Sequence, residues 1–83
     1  MKKYDYYYKN SLYRVSGDET ERYAGGGEWK SVTCQLAGRV DPKSPDYDYG
    51  ETTKETEQEA MRIMKSEDDI LELRRKNGWY DKN

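Results

Sequence analysis

A chain of 83 residues, 39% of them charged, can bury only a small core, so we expect one small domain over residues 1–83. A net charge of only −2, together with nine tyrosines and two tryptophans, argues against disorder and predicts a tyrosine-rich core. The sequence has no histidine, a single cysteine and no long apolar run. These absences argue against a zinc site, an intrachain disulfide, a signal peptide and a membrane span, and we expect a cytoplasmic location.

The first half of the chain, about residues 4–36, predicts an antiparallel β-meander of three or four strands. Short segments of alternating residues are each followed by a turn signal. The predicted strands are 4–9, 12–16, 20–24 and 29–34, and a longer version of the last one reaches Leu36. In the first strand, alternation places Tyr4, Tyr6 and Tyr8 on one face and Asp5, Tyr7 and Lys9 on the other.

The second half predicts an extended linker followed by helix. Residues 37–52 contain two prolines, which disfavour a helix, and form the predicted linker. Residues 53–77 show helical spacing of apolar residues and two capping-box patterns, one beginning at Thr52 and one at Thr56. A kinked helix pair broken at Ser66 and one continuous helix both fit. Residues 78–83 form a tail, and we expect Trp79 and Tyr80 to fold back onto the core.

These elements predict an α+β fold in which the helical segment, about 53–76, packs on one face of the meander. Without this packing, neither face of the sheet would be covered, and so small a sheet would not be stable. Cys34 is expected to act as a small apolar residue inside the last strand. The predicted core comprises Val15, Val32, Leu36, Ile63, Met64, Ile70, Leu71 and Trp79, closed by Tyr13 and Trp29.

Charge and tyrosine content indicate a binding surface. Residues 46–72 hold ten acidic and three basic residues, which is typical of a solvated helix face but also predicts an acidic surface that attracts a basic partner. Nine tyrosines exceed what so small a core can bury, so some should lie exposed as an aromatic patch. The predicted partner-binding residues are Tyr4, Tyr6, Tyr7, Tyr8, Asp46, Tyr47, Asp48, Tyr49, Glu55, Glu59, Asp68 and Asp69.

No catalytic, cofactor or metal site is expected. Residues 46–51 faintly resemble the start of an EF-hand loop, but the glycine falls at the fifth loop position rather than the sixth. The glycines at 25–27 lack the Lys-Ser/Thr of a phosphate-binding loop and predict a hairpin turn. Without histidine the commonest general base is missing, so we expect no enzymatic activity.

The resulting hypothesis is a non-enzymatic protein-binding module that occludes a basic surface of its partner sterically or electrostatically. Small, acidic, tyrosine-rich domains suit inhibitors made by phages or mobile elements, including anti-CRISPR proteins that act on nucleic-acid-handling machines. Two alternatives are single-stranded nucleic-acid binding through a tyrosine-rich sheet face and a structural homodimer formed through an edge strand. No membrane partner is expected.

Overall fold

The computed structural model describes residues 3–76 and shows, within them, a five-stranded antiparallel sheet and two helices. The strands are β1 (Asp5–Tyr8), β2 (Leu12–Ser16), β3 (Glu19–Gly25), β4 (Glu28–Ser31) and β5 (Thr53–Glu55). The helices are α1 (Cys34–Val40) and α2 (Glu57–Lys76). The strand order is β4-β3-β2-β1-β5. The predicted α+β fold, an antiparallel meander with a C-terminal helix on one face, is confirmed.

Tight turns join β1 to β4 where the sequence predicts them. The turn between β3 and β4 is the triple glycine, in which Gly25, Gly26 and Gly27 have φ values of 93°, 63° and 81°. A side chain in this left-handed region costs roughly 1–2 kcal/mol per residue, whereas glycine adopts it freely. The glycines are therefore required by the hairpin that joins β3 to β4.

The last predicted strand, 29–34, is too long, because β4 ends at Ser31 and a helix begins at Cys34. Thr33 caps this helix: its Oγ1 accepts a hydrogen bond from the Leu36 N–H at 3.3 Å. Cys34 consequently lies exposed in the first turn of α1 and not inside a strand. Helix α1 also occupies the first residues of the predicted 37–52 extended linker, so that prediction is wrong for residues 37–40.

The sequence does not predict the fifth strand, β5, because residues 53–55 fall at the start of the predicted helical segment. It pairs antiparallel with β1, so that Thr53 lies opposite Tyr8 and Glu55 opposite Tyr6. Of the two capping boxes, only the second forms. The Glu59 N–H donates to Thr56 Oγ1 at 3.1 Å and the Thr56 N–H donates to Glu59 Oε1 at 2.9 Å. Helix α2 therefore begins after Thr56, which leaves residues 53–55 free to pair.

Helix α2 covers one face of the sheet. It runs from Glu57 to Lys76 as one continuous helix, so Ser66 does not break it. It contacts β1, β2, β3 and β5. Ala60 packs with Leu12 and Tyr23 in the buried centre of this face. Partly buried side chains surround that centre: Tyr6, Trp29, Ile63 and Met64.

The opposite face is also covered, which the sequence reasoning did not expect. By strand alternation Tyr7, Tyr13 and Val15 point to this side, and all three are buried. Helix α1 contacts β3 and buries Val40, and Tyr47 from the following loop contacts Tyr7. The sheet is thus the middle layer between α2 and the segment 34–52.

The predicted core is partly right. Tyr13 and Val15 are buried, and Trp29, Ile63 and Met64 pack against the core as partly buried side chains. Val32, Leu36 and Leu71 are only half-buried, and Ile70, at 46% exposed, is not in the core. The core residues that were missed are Tyr7, Leu12, Tyr23, Val40 and Ala60. The predictions for Trp79, Tyr80 and the tail, residues 78–83, lie outside the described residues.

Within the described range, neither helix is long and apolar enough to cross a membrane.

Candidate functional site

The loop that connects α1 to β5, residues 41–52, is ordered by its own polar side chains; we call it the tyrosine loop. Three of its short side chains each accept hydrogen bonds from backbone N–H groups two or three residues further on, as is usual in tight turns. The pairs are Lys43 N–H to Asp41 Oδ1 (3.0 Å), Asp46 N–H to Ser44 Oγ (3.2 Å), and Gly50 and Glu51 N–H to Asp48 Oδ1 (3.2 Å each). These contacts specify the course of the backbone.

The tyrosine loop is also tied to its neighbours. The Asp48 N–H donates to the Arg39 carbonyl at the end of α1 at 2.9 Å, and Thr52 Oγ1 donates to the same carbonyl at 3.4 Å. The Asp48 carboxylate lies 3.8 Å from Lys9 Nζ, next to β1. Thr52 itself is buried. The loop is therefore attached to both the helix and the sheet.

A series of three tyrosine rings leads from the core through this loop to the surface. Tyr7 is 4% exposed, and burial, followed by the nearby Asp5 charge, raises the pKa of its hydroxyl. Tyr47 contacts Tyr7 edge to face at 6.5 Å between ring centroids, and Tyr49 contacts Tyr47 edge to face at 4.5 Å. Such edge-to-face geometry is favourable between aromatic rings. Tyr49, the last ring, is 79% exposed.

The arrangement displays a large aromatic side chain in a defined position. A tyrosine that is mostly in water adds little to the core, whereas at an interface it supplies rigid area and a hydroxyl for hydrogen bonding. Asp46 and Glu51, on the same loop, are also exposed. Geometrically, the site is suited to contact a partner surface that offers a pocket for the ring and cations at its edge.

The first-strand tyrosines do not form the expected exposed patch. Tyr7 is in the core, which corrects its assignment as a surface residue. Tyr6 packs 6.2 Å from Trp29 beneath α2, and desolvation, then the Glu57 charge, raises its pKa. Tyr8, at 38% exposed, is the first-strand tyrosine that reaches the surface.

Tyr4 is occupied by an intramolecular cation–π contact. The Arg14 guanidinium lies 4.1 Å from the centre of the Tyr4 ring and 4.4 Å from that of Trp29. Arg14 Nε also donates to Glu21 Oε1 at 2.7 Å. The Tyr4 ring is thus half-buried and already stacked on a cation.

The predicted acidic residues do not form one surface either. Glu59 caps α2 as described, and this contact holds its pKa below the usual range. Glu55 accepts a hydrogen bond from Thr53 Oγ1 at 2.8 Å. Asp69 is exposed and pairs with Lys65 at 3.2 Å. Asp68, its neighbour, points towards the sheet and makes structural contacts.

Asp68 fastens α2 to the β3–β4 hairpin. The Tyr23 hydroxyl donates to the Asp68 carboxylate at 2.9 Å, and the Gly26 N–H donates to it at 3.0 Å. The same hydroxyl accepts from the Gly27 N–H at 2.9 Å. Desolvation is the main reason that the pKa of Tyr23 is raised. Sequence reasoning missed this contact, because nothing local links residues 45 positions apart.

The described residues contain no group of three or more His, Cys, Asp or Glu side chains arranged to hold a metal ion. In the EF-hand-like segment, Asp48 Oδ1 accepts hydrogen bonds from two backbone N–H groups of its own loop. The spacing of Asp48 and Gly50 is therefore better explained as a turn signal. This turn signal is the feature of the sequence that marks the tyrosine loop.

Comparison of the chain with protein-family models, with curated proteins and with solved structures finds no match.

Proposed function

We propose that this protein is a non-enzymatic protein-binding module whose principal anchor is Tyr49. The observation that supports the proposal is the display of a 79%-exposed tyrosine on a loop fixed by hydrogen bonds. Tyrosine is among the residues enriched at interface hot spots, where truncation costs about 2 kcal/mol or more. Ordering a long side chain on binding costs about 0.5–1.5 kcal/mol, and prior contact with Tyr47 reduces this cost.

The chemistry of the loop favours a partner with a basic surface. Asp46 and Glu51 are exposed on the same loop as Tyr49, so the loop presents two negative charges as well as an aromatic ring. Opposite charge on the partner would accelerate association and fix its orientation. Binding there would occlude the partner's surface by steric and electrostatic means.

Machines that handle nucleic acids are partners of this kind, because their working surfaces are basic. An inhibitor made by a phage or mobile element, as anti-CRISPR proteins are, is the specific form of the proposal. It is supported by the size and composition of the chain and by the acidic tyrosine loop.

The two alternatives receive less support from the geometry. A nucleic-acid stacking platform requires an open sheet face, whereas α2 and the segment 34–52 cover both faces. A homodimer through an edge strand requires a long unpaired edge. The edge strands β4 and β5 have four and three residues, and their sequences, EWKS and TKE, are charged, as is common in edges that resist pairing.

Affinity capture with matched variants tests the proposal. Tagged wild-type protein, Tyr49→Ala and Met61→Ala are each incubated with lysate of the cells in which the protein occurs, with and without nuclease, and captured proteins are quantified by mass spectrometry. Met61 is a suitable control because it is also exposed, at 61%, but lies on α2, away from the loop. Thermal melts confirm that all three proteins are folded.

The proposal predicts that one protein is captured even after nuclease treatment. The captured amount should fall at least about tenfold with Tyr49→Ala but not with Met61→Ala. Equal capture by wild type and Tyr49→Ala would contradict the role of Tyr49. Capture that disappears with nuclease would favour nucleic-acid binding instead.

A further inference from the structure

A concave surface lies at the opposite end of the fold from the start of α2, and none of the described residues that line it belongs to the tyrosine loop. Here the last turns of α2 extend over the end of the sheet where the β1–β2 and β3–β4 turns meet. The cleft between them has a volume of about 790 Å³. The side chains that matter to its chemistry are Tyr8, Arg22, Lys30, Glu67, Ile70 and Arg74. We call it the basic cleft.

Among the described residues, the cations of the basic cleft form no ion pair. Arg22, Lys30 and Arg74 are all exposed, and no ion pair within residues 3–76 involves any of them. With the one carboxylate of Glu67 they give the cleft a net charge of +2, on a chain whose formal net charge is −2. A local field opposite in sign to that of the whole molecule attracts anionic groups to this one place.

The walls of the basic cleft are apolar as well as charged. Ile70 is 46% exposed and Tyr8 is 38% exposed, and both line the cleft beside the cations. A site that combines apolar walls with a few charged groups is typical of one that recognises side chains of mixed character. An inorganic anion would leave these walls in water.

Within the described part of the chain, Glu67 is the one acidic side chain that lines the basic cleft. Its Oε2 atom is buried and has no hydrogen-bond partner among residues 3–76. Desolvation, and then the neighbouring Asp68 charge, raise the pKa of this carboxyl, while Arg22 lowers it. Because this oxygen is shielded from the cleft, it is not itself a contact for a ligand.

We propose that the basic cleft is a binding site for an extended acidic segment of a partner protein, with carboxylates paired to Arg22, Lys30 and Arg74 and an apolar side chain against Ile70. A peptide can place an aliphatic side chain against the exposed Ile70 while its carboxylates meet the cations. A phosphodiester backbone has no aliphatic group to place there. The chemistry therefore favours an acidic peptide over a nucleic acid.

Fluorescence anisotropy of a labelled dodecapeptide built from Asp, Glu and Leu tests this site. A second dodecapeptide with Lys in place of the acidic residues and a labelled single-stranded oligothymidylate of the same length are the comparison probes. Each is titrated with wild type, Arg74→Glu and Arg75→Glu at low and high salt. Arg75 provides the matched control, because it is the neighbouring cation but faces a different surface, near Gly26 and Glu72.

We expect the acidic peptide to bind wild-type protein. Its affinity should fall about tenfold or more with Arg74→Glu but less than about twofold with Arg75→Glu. Added salt should also weaken binding markedly. The Lys peptide should not bind. In wild-type protein, the methyl NMR signals of Ile70 and Leu71 should shift when the acidic peptide is added. This measurement does not depend on whether any variant folds.

Three results would overturn the proposal. The first is no binding of the acidic peptide at low salt. The second is equal weakening by Arg74→Glu and Arg75→Glu, which would indicate a diffuse charge effect. The third is tighter binding of the oligothymidylate than of the peptide with the same dependence on Arg74, which would assign the cleft to nucleic acid.

Discussion

Replacing Asp68 by alanine should destabilise the protein strongly, whereas replacing its neighbour Asp69 should not. Asp68 accepts hydrogen bonds from the Tyr23 hydroxyl and the Gly26 N–H, which join α2 to the β3–β4 hairpin. Asp69 makes one exposed ion pair with Lys65 on the same helix. The two substitutions remove the same group from adjacent helix positions, so the change in helix propensity largely cancels between them.

The magnitude follows from these contacts. Hydrogen bonds to a charged acceptor contribute about 1.5–3 kcal/mol when buried, and since Asp68 is only half-buried we take about 1–1.5 kcal/mol for each of its two bonds. Asp68→Ala should therefore cost about 2–3 kcal/mol. The exposed pair of Asp69 is worth about 0.3–0.5 kcal/mol, which the better helix propensity of alanine offsets.

Thermal and urea denaturation followed by circular dichroism measures both variants. At about 4–8 °C per kcal/mol for a domain of this size, Asp68→Ala should lower Tm by about 10–20 °C and Asp69→Ala by no more than about 2 °C. Asp68→Asn, which retains an acceptor oxygen, should fall between the two. If Asp68→Ala and Asp69→Ala have the same small effect, the contact between α2 and the hairpin does not stabilise the fold as described.

Two further predictions concern the hairpin and the buried tyrosines. Gly25→Ala should lower stability by about 2 kcal/mol or more, because its φ of 93° is unfavourable for alanine and a Cβ there would lie 2.6 Å from Leu71 Cδ1, so that the Leu71 side chain must shift. Gly26→Ala should cost only about 1–2 kcal/mol, because its φ is also positive but a Cβ there would meet no other side chain. Equal losses in urea denaturation would refute the packing argument. Stability should fall as the pH rises above 10, because the unfolded chain releases tyrosine protons near pH 10 that the folded chain retains. Absorbance at 295 nm should show that the buried hydroxyls ionise only as circular dichroism is lost, and full ionisation of a folded protein would contradict this. The tyrosines with a raised pKa are Tyr6, Tyr7, Tyr13 and Tyr23.

The elements that sequence reasoning identified are those with strong local signals. Alternation and tight turns define β1 to β3, and the reciprocal hydrogen bonds of the Thr56–Glu59 capping box fix the start of α2. Strand β5 is different, since three residues are too few to show alternation and its pairing with β1 is set by the chain's return through the loop. Helix α1 depends on the Thr33 cap and on the burial of Val40. The β-branched residues just before it favour a strand, so the sequence predicts a strand here instead of a helix.

The candidate site was predictable in part for the same reason. The tyrosines and aspartates of the loop stood out as a cluster in sequence, and Tyr49 is exposed as expected for a binding residue. The alternation of residues along β1 predicts that Tyr6 and Tyr7 lie on opposite faces of the sheet, but it does not show that both faces are covered. Asp68 and Asp69 differ by about 100° around the helix, and only the position of α2 on the sheet shows which one points inwards.

Site-specific photocrosslinking from Tyr49 tests the central claim most directly. Tyr49→p-benzoylphenylalanine and Met61→p-benzoylphenylalanine are expressed in the cells in which the protein occurs, irradiated and analysed by mass spectrometry after nuclease treatment. Both positions are largely exposed, so the photoreactive side chain should form nonspecific crosslinks with other proteins about equally often at each. The account predicts a crosslink to one other protein from position 49 and not from position 61. The same adducts from both positions, or none from position 49, would contradict a binding site centred on the tyrosine loop.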